Sequence, residues 1–243
     1  MSWLAGATGR SGIECVKSLL EDGCYRPLLH VRSTSSAKGK LAKLPDLPVI
    51  ACDVTTPKAD QVLARAIRQY SAEHVICTLG FVPTFDPAAD MQASDAIDNK
   101  GVQAVIRACE MARMPGRFVL VSSLLASTTP RNLSARLLNS LGGVLDAKRE
   151  SETALASSSL DYTILRPGVF AESVQGGLVV GEQDRFIGAD SDSQGLGLQP
   201  VSCASPFLAS SGAVCAITRQ QVSCLIPVPT CHSVSPCHFH HSN

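Results

Sequence analysis

Apolar residues in the first two thirds of the chain fall into two repeating patterns: short continuous runs, and longer stretches in which they recur every three or four positions. Continuous runs suit strands buried on both faces, and the three-four spacing suits amphipathic helices. Trp3-Leu4-Ala5 predicts a first strand. From Arg10 to Asp22, Ile13, Val16 and Leu20 share one helical face, Glu14, Lys17 and Glu21 lie elsewhere, and Gly23 supplies a stop. Pro27 to Val31 and Pro48 to Cys52 read as strands two and three. Thr56-Pro57 opens a helix that aligns Leu63, Ala66, Ile67 and Tyr70, and His74 to Thr78 reads as strand four. Ser94 is placed to cap a helix carrying Ile97, Gly101, Val105, Ala108 and Ala112, followed by a fifth strand, Arg117 to Val121. A helical stretch over roughly Leu133 to Ala156 precedes a sixth strand, Asp161 to Leu165, which Arg166-Pro167-Gly168 terminates.

Apolar strands alternating with amphipathic helices imply a parallel sheet covered on both faces, because parallel strands need crossover connections. The expected fold is therefore α/β, a doubly wound parallel sheet of Rossmann type, as a single domain over residues 1–198 with an irregular C-terminal tail. From Ser193 onward the last 51 residues hold one charged residue, Arg219, and five of the 14 prolines. At the chain's 17% charged content about nine charges would be expected there. Residues 199–243, rich in Pro, Cys and Ser and without sustained periodicity, are read as disordered or foreign to the domain, for instance translated intron or a shifted frame.

Composition narrows the function classes. Lys plus Arg equals Asp plus Glu at 21 each, so no net field attracts nucleic acid, and no nucleic-acid partner is expected. No apolar run reaches the roughly 20 residues that cross a bilayer, so no membrane span is expected. The opening residues show no targeting segment, which gives a cytoplasmic expectation, or the plastid stroma if a transit peptide is missing. Of the ten cysteines, Cys15, Cys24, Cys52, Cys77 and Cys109 lie in periodic segments and read as reduced core thiols. Cys231-His232 and Cys237-His238-x-His240-His241 match no zinc-knuckle spacing, and no metal site is expected.

Between the first strand and first helix stands Gly6-Ala7-Thr8-Gly9-Arg10-Ser11-Gly12. Glycine lets the backbone approach a pyrophosphate, and the start of a helix favours its charge. Three glycines at this spacing arise by chance in about one such chain in ten, so the position in the strand-helix junction carries the assignment. Arg32 follows the second strand, 20 positions after Gly12, with Lys38 and Lys40 downstream. A guanidinium there can pair with a ribose 2′-phosphate, which favours NADP(H) as cofactor; a solvated arginine at a strand end is the alternative.

GATGRSG, the basic VRSTSSAKGKL, Asp53 in ACDVT, FVLVSS, DAKRESE and LDYTILRPG, in that order, resemble the NmrA-like branch of the atypical short-chain dehydrogenase/reductases over about residues 3–198. The resemblance implies that Gly6, Thr8, Gly9, Arg10, Ser11 and Gly12 hold the pyrophosphate, Arg32 the 2′-phosphate, and Asp53 with Val54 the adenine. It implies that Thr78, Leu79 and Gly80 pass the adenosine ribose. Ser122, Lys148, Pro167 and Gly168 would approach the nicotinamide, with Lys148 and Ser122 as the candidate catalytic groups. Plainer readings stand beside these: Asp53 as a turn former before Thr55, Ser122 bonded to its own backbone, and Lys148 as a helix lysine pairing with Glu152.

The chain departs from the family's Tyr-x-x-x-Lys signature, because Lys148 matches the lysine but Val144 stands at the tyrosine. Tyrosine acid/base catalysis is unavailable there. The leading expectation is an NADPH-dependent oxidoreductase acting on an unspecified small molecule, in which the cofactor carries the hydride and the protein supplies position. The rival is an NADP(H)-binding redox sensor or assembly factor without turnover. A third expectation is a product truncated by an aberrant C-terminus.

Overall fold

The computed structural model describes residues 1–84, 86–123, 126, 135–167, 180–182 and 213–215, with backbone alone at 36, 135–138, 140, 180–182 and 213–215. Six strands form one parallel sheet: β1 (Ser2–Ala5), β2 (Pro27–Val31), β3 (Val49–Ala51), β4 (His74–Cys77), β5 (Phe118–Val121) and β6 (Tyr162–Leu165). Their spatial order is β3-β2-β1-β4-β5-β6, the doubly wound arrangement that the alternating pattern predicts. The order reverses between β1 and β4, which opens a crevice at the strands' C-terminal ends.

Side chains alternate across the sheet. Trp3, Leu28, Val75, Cys77, Phe118, Leu120 and Ile164 pack on one face, with Leu63 and Ile67 of α3 (Ala59–Gln69), Val105 and Cys109 of α5 (Val102–Ala112), and Leu155 of α6 (Ala135–Ala156). Leu4, Leu29, Ile76, Val119 and Leu165 pack on the other, with Cys15, Val16 and Leu19 of α1 (Arg10–Asp22). The buried residues of α1 are Gly12, Cys15, Val16, Ser18 and Leu19, a face that shares Val16 with the predicted Ile13-Val16-Leu20 stripe, whose outer two residues lie at its margin. Gly23 ends α1 in the left-handed conformation, as predicted, and the next residue, Cys24, is exposed rather than a core thiol.

Two further helices carry no apolar stripe and were not expected. The first is α2 (Thr34–Leu41); the second is α4 (Pro87–Ser94), capped by Asp86, whose carboxylate accepts from the Ala88 and Ala89 N–H groups. Ser94 is not a helix start. Helix α4 runs through a π-helical segment, Asp95–Gly101, straight into α5. The helix expected at Thr56-Pro57 begins at Ala59, after Lys58 in the left-handed region (φ 64°). Within the predicted irregular tail, β8 (Ala213–Cys215) pairs antiparallel with β7 (Val180–Glu182). No described helix is long and apolar enough to cross a membrane.

Candidate functional site

All six strands are parallel, so their C-terminal ends share one edge, and the topology delivers most of the predicted site residues to it. Gly6 to Gly12 follow β1, Arg32 follows β2, Asp53 and Val54 follow β3, and Thr78 to Gly80 follow β4. Ser122 follows β5 and Pro167 follows β6. Gly168 lies outside the described residues, as does the tail's Cys/His cluster. Among the described residues no group of His, Cys, Asp or Glu is arranged to hold a metal ion.

The glycine loop is closed by steric necessity at two positions. Gly6 has φ +86°, and a Cβ there would lie 3.0 Å from the Leu79 nitrogen. A Cβ on Gly12 would lie 2.2 Å from the Gly6 carbonyl oxygen, an overlap no L side chain tolerates. That oxygen accepts from the Gly9 N–H (3.0 Å) and from the Thr78 hydroxyl (3.2 Å), which also lies 3.0 Å from the Ala5 oxygen. Thr78 therefore secures the loop through its side chain, a role the sequence reading did not assign. Gly9 caps α1 without a side-chain hydrogen bond. The first N–H groups of α1, at Arg10, Ser11 and Gly12, precede the helix's internal bonding and can receive an anion. Glycine at positions 6 and 12 lets the loop close against α1 and the loop after β4 without backbone overlap, an arrangement compatible with a dinucleotide pyrophosphate at these N–H groups.

Arg32 is exposed and without a partner among the described residues; its charge helps lower the Asp53 pKa. The larger cause of that lowering is the hydrogen bonding from Thr55: Asp53 Oδ1 accepts from the Thr55 hydroxyl (2.7 Å) and N–H (2.9 Å). Asp53 is thus a turn former, and its Oδ2 has no partner among the described residues. Val54 is buried against the π-helical segment, where a Cβ on Gly101 would come within 2.8 Å of Val54 Cγ2.

On the β4-β5 side, Lys148 does not pair with Glu152. Its Nζ donates to Asp98 Oδ1 at 2.7 Å, and the Asp98 side chain is fully buried. Asp98 Oδ2 accepts from the Phe81 N–H (2.9 Å), so one carboxylate joins Lys148 to the loop after β4. Lys148 Nζ would sit 3.7 Å from a Cβ on Gly80. Glu152 instead binds the Arg166 guanidinium through both oxygens. Asp98 is the site residue that sequence reasoning missed; it lies 50 positions from Lys148, and nothing in its neighbours marks it. Ser122 is 7% exposed, and its hydroxyl is buried with no partner among the described residues rather than bonded to its own backbone. Val144 is buried at 6% exposure.

Comparison with known sequences decides the family. The profile of NAD(P)H-binding domains matches residues 6–193. This chain belongs to the NAD(P)H-binding family. The NmrA-like, atypical short-chain dehydrogenase/reductase resemblance read from its motifs agrees with that membership. The chain is 33% identical over 198 residues to an uncharacterized chloroplastic protein of Arabidopsis thaliana, covering 80% of this chain and 68% of that one. It is 31% identical over 181 residues to the chloroplastic protein TIC 62 of Pisum sativum, covering 68% of this chain but only 32% of that protein. Among solved structures, an anaerobillin reductase from Escherichia coli matches with a TM-score of 0.53 at 28% identity, over 69% of this chain and 73% of that one.

Proposed function

We propose that this chain binds NADP(H) across the β1/β4 crevice and does not carry out tyrosine-dependent carbonyl reduction. The observation behind this reading is Val144, buried at the position from which the family's tyrosine would exchange a proton. The fully buried Asp98 balances the Lys148 charge, and the Ser122 hydroxyl is sealed from solvent. A nicotinamide, when bound, supplies the hydride; the chain's own residues bind and orient it. In this reading the α1 N-terminus and Gly6 to Gly12 hold the pyrophosphate, Asp53 and Val54 line the adenine, and Thr78 to Gly80 pass the ribose. Lys148, Ser122, Pro167 and Gly168 border the nicotinamide.

The preference for NADP(H) over NAD(H) rests on Arg32, whose exposed guanidinium is left without an ion-pair partner among the described residues. Calorimetric titration with NADPH and NADH tests it. Losing charge-assisted bonds to a 2′-phosphate in Arg32→Ala should weaken NADPH binding by about tenfold to a hundredfold and leave NADH within about twofold. Absence of NADPH binding by the folded chain, or equal loss for both nucleotides, refutes the reading.

A second reading, an NADPH-dependent oxidoreductase of the atypical type, draws on Lys148, whose side chain is 16% exposed with its Nζ beside Gly80, and on the similarity to an anaerobillin reductase. Steady NADPH oxidation with any member of a carbonyl, enone, quinone and tetrapyrrole panel establishes it, and no turnover across the panel rules it out. The chloroplastic relatives favour the plastid stroma over the cytoplasm, which import of the full-length product into isolated plastids tests. We also assign the nucleotide-binding domain to residues 1–198 and treat 199–243 as foreign to it, since the family profile stops at 193. An uninterrupted mature transcript encoding that tail would overturn this.

A further inference from the structure

One buried residue joins the glycine loop, β2 and the end of β3, the first through its main chain and the last through its side chain. His30, 2% exposed near the end of β2, accepts the Ala7 N–H on its backbone oxygen at 3.1 Å, which joins it to the glycine loop. Its ring crosses to the neighbouring strand, where Nε2 lies 2.8 Å from the Cys52 carbonyl oxygen. A carbonyl only accepts, so Nε2 carries the hydrogen and Nδ1 does not. The ring is wedged edge-on against Trp3, with centroids 6.0 Å apart and planes at 76°.

The location gives this bond its importance. Strand β3 has three residues, and its last main-chain bond to β2 runs from the Cys52 N–H to the Val31 oxygen (3.0 Å). The Cys52 carbonyl lies one step further, where the ladder has ended, and the imidazole provides the missing rung. Arg32 and Asp53, the two charged residues at this corner, come two positions after His30 and one after Cys52. Asp53 is near enough to feel the Arg32 charge. A 2′-phosphate is drawn to the guanidinium and repelled by the carboxylate, so the separation of these two groups sets the discrimination.

We propose that the His30 side chain is the positioning group that fixes Arg32 and Asp53 relative to each other, and thereby sets the preference for NADPH over NADH. This rests on Arg32 receiving the 2′-phosphate. Burial lowers the His30 pKa, which keeps the ring in the neutral form that the single acceptor requires.

The test compares NADPH and NADH dissociation constants in the wild type, His30→Leu and His30→Gln. His30→Leu fills much of the ring's space without a donor, and its NADPH:NADH preference should fall at least fivefold. His30→Gln retains an N–H donor and should stay within about twofold of wild type. A folded His30→Leu that loses stability but keeps the preference shows a merely structural role and overturns the proposal. If His30→Leu does not fold, the wild-type imidazole 15N resonance, assigned by its loss in His30→Gln, gives the answer. It should move on saturation with NADPH and much less with NADH; equal or absent movement overturns the proposal. A wild type that binds NADPH no better than NADH refutes the Arg32 reading instead, so the two failures are distinguishable.

Discussion

Replacing Gly12 with alanine adds one methyl group at the tightest point of the nucleotide loop. The new Cβ would lie 2.2 Å from the Gly6 oxygen and 3.0 Å from both the carbonyl carbon and the Cα of Ala7. The obstructing atoms are backbone, so no side-chain rotation relieves the overlap; α1 and the loop must separate. Moving the Gly6 carbonyl also disturbs its bonds from Gly9 and Thr78. Overpacking of this kind costs about 1–3 kcal/mol, and the upper end applies because backbone must yield. The better helix propensity of alanine returns up to about 1 kcal/mol. The net expectation is a loss of about 2–3 kcal/mol, or about 4–12 °C in melting temperature for a domain of this size. NADPH affinity should fall by tenfold or more, since the pyrophosphate cradle is displaced. Gly39→Ala is the control: nothing lies within 4 Å of its Cβ, and it should be neutral or stabilising. Denaturant unfolding and calorimetric titration of both variants decide the matter. If Gly12→Ala unfolds within about 0.5 kcal/mol of wild type and binds NADPH within twofold, the steric account of this loop is wrong.

Three more outcomes are expected. Lys148→Met strands the buried Asp98 carboxylate with one donor and should cost about 3–5 kcal/mol, while adding Asp98→Asn should recover part of it; strictly additive denaturation energies would refute the pairing. His30 is held neutral by burial in the folded chain but takes a proton in the unfolded chain below its ordinary 6.5. Stability should therefore be complete above that pH and decline on acidification below it, by up to about 1.4 kcal/mol per pH unit. The partly buried His74, lowered by the same cause, adds in the same direction. Urea midpoints from pH 7 to 5.5 should fall less in His30→Gln, and an equal fall would exclude His30 as a source. Among the described cysteines, a thiol reagent mapped by mass spectrometry should label Cys24 and spare Cys15 and Cys77, whose pKa values burial pushes up to about 12. Rapid labelling of Cys77 in the native protein would contradict the packed β4 strand.

The strands were legible because a sheet buried on both faces writes itself as continuous apolar runs, and the glycine loop because it follows the first of them. Helices α2 and α4 were not legible, since TSSAKGKL and PAADMQAS carry no apolar stripe. The start of α4 did leave a local signal in Asp86-Pro87, a capping carboxylate followed by a residue suited to the first turn. The shift of the buried α1 face shows a limit of periodicity: Ile13 and Leu20 fit a stripe as well as Cys15 and Leu19 do, and only packing against Leu4 and Leu29 chooses. The Lys148-Asp98 pair was out of reach for another reason. Local spacing suggested Glu152, whereas the true partner comes from a different helix and is selected by tertiary burial.

The π-helical segment at Asp95–Gly101 interrupts a helix that otherwise runs unbroken from Pro87 to Ala112. Such a segment takes in extra chain without ending the helix, so it works as a phase adjuster between the α4 residues facing α6 and the α5 residues facing the sheet. A π turn holds about one residue more than an α turn, so deleting one residue here would leave a continuous α-helical rod with its two flanks close to their present phase. The widened turn that carries Asp98 to Lys148 would be lost while α5 kept its place on the sheet. Length changes in this stretch would therefore separate the cofactor edge from the core, leaving a chain that still folds with its β4 loop untethered.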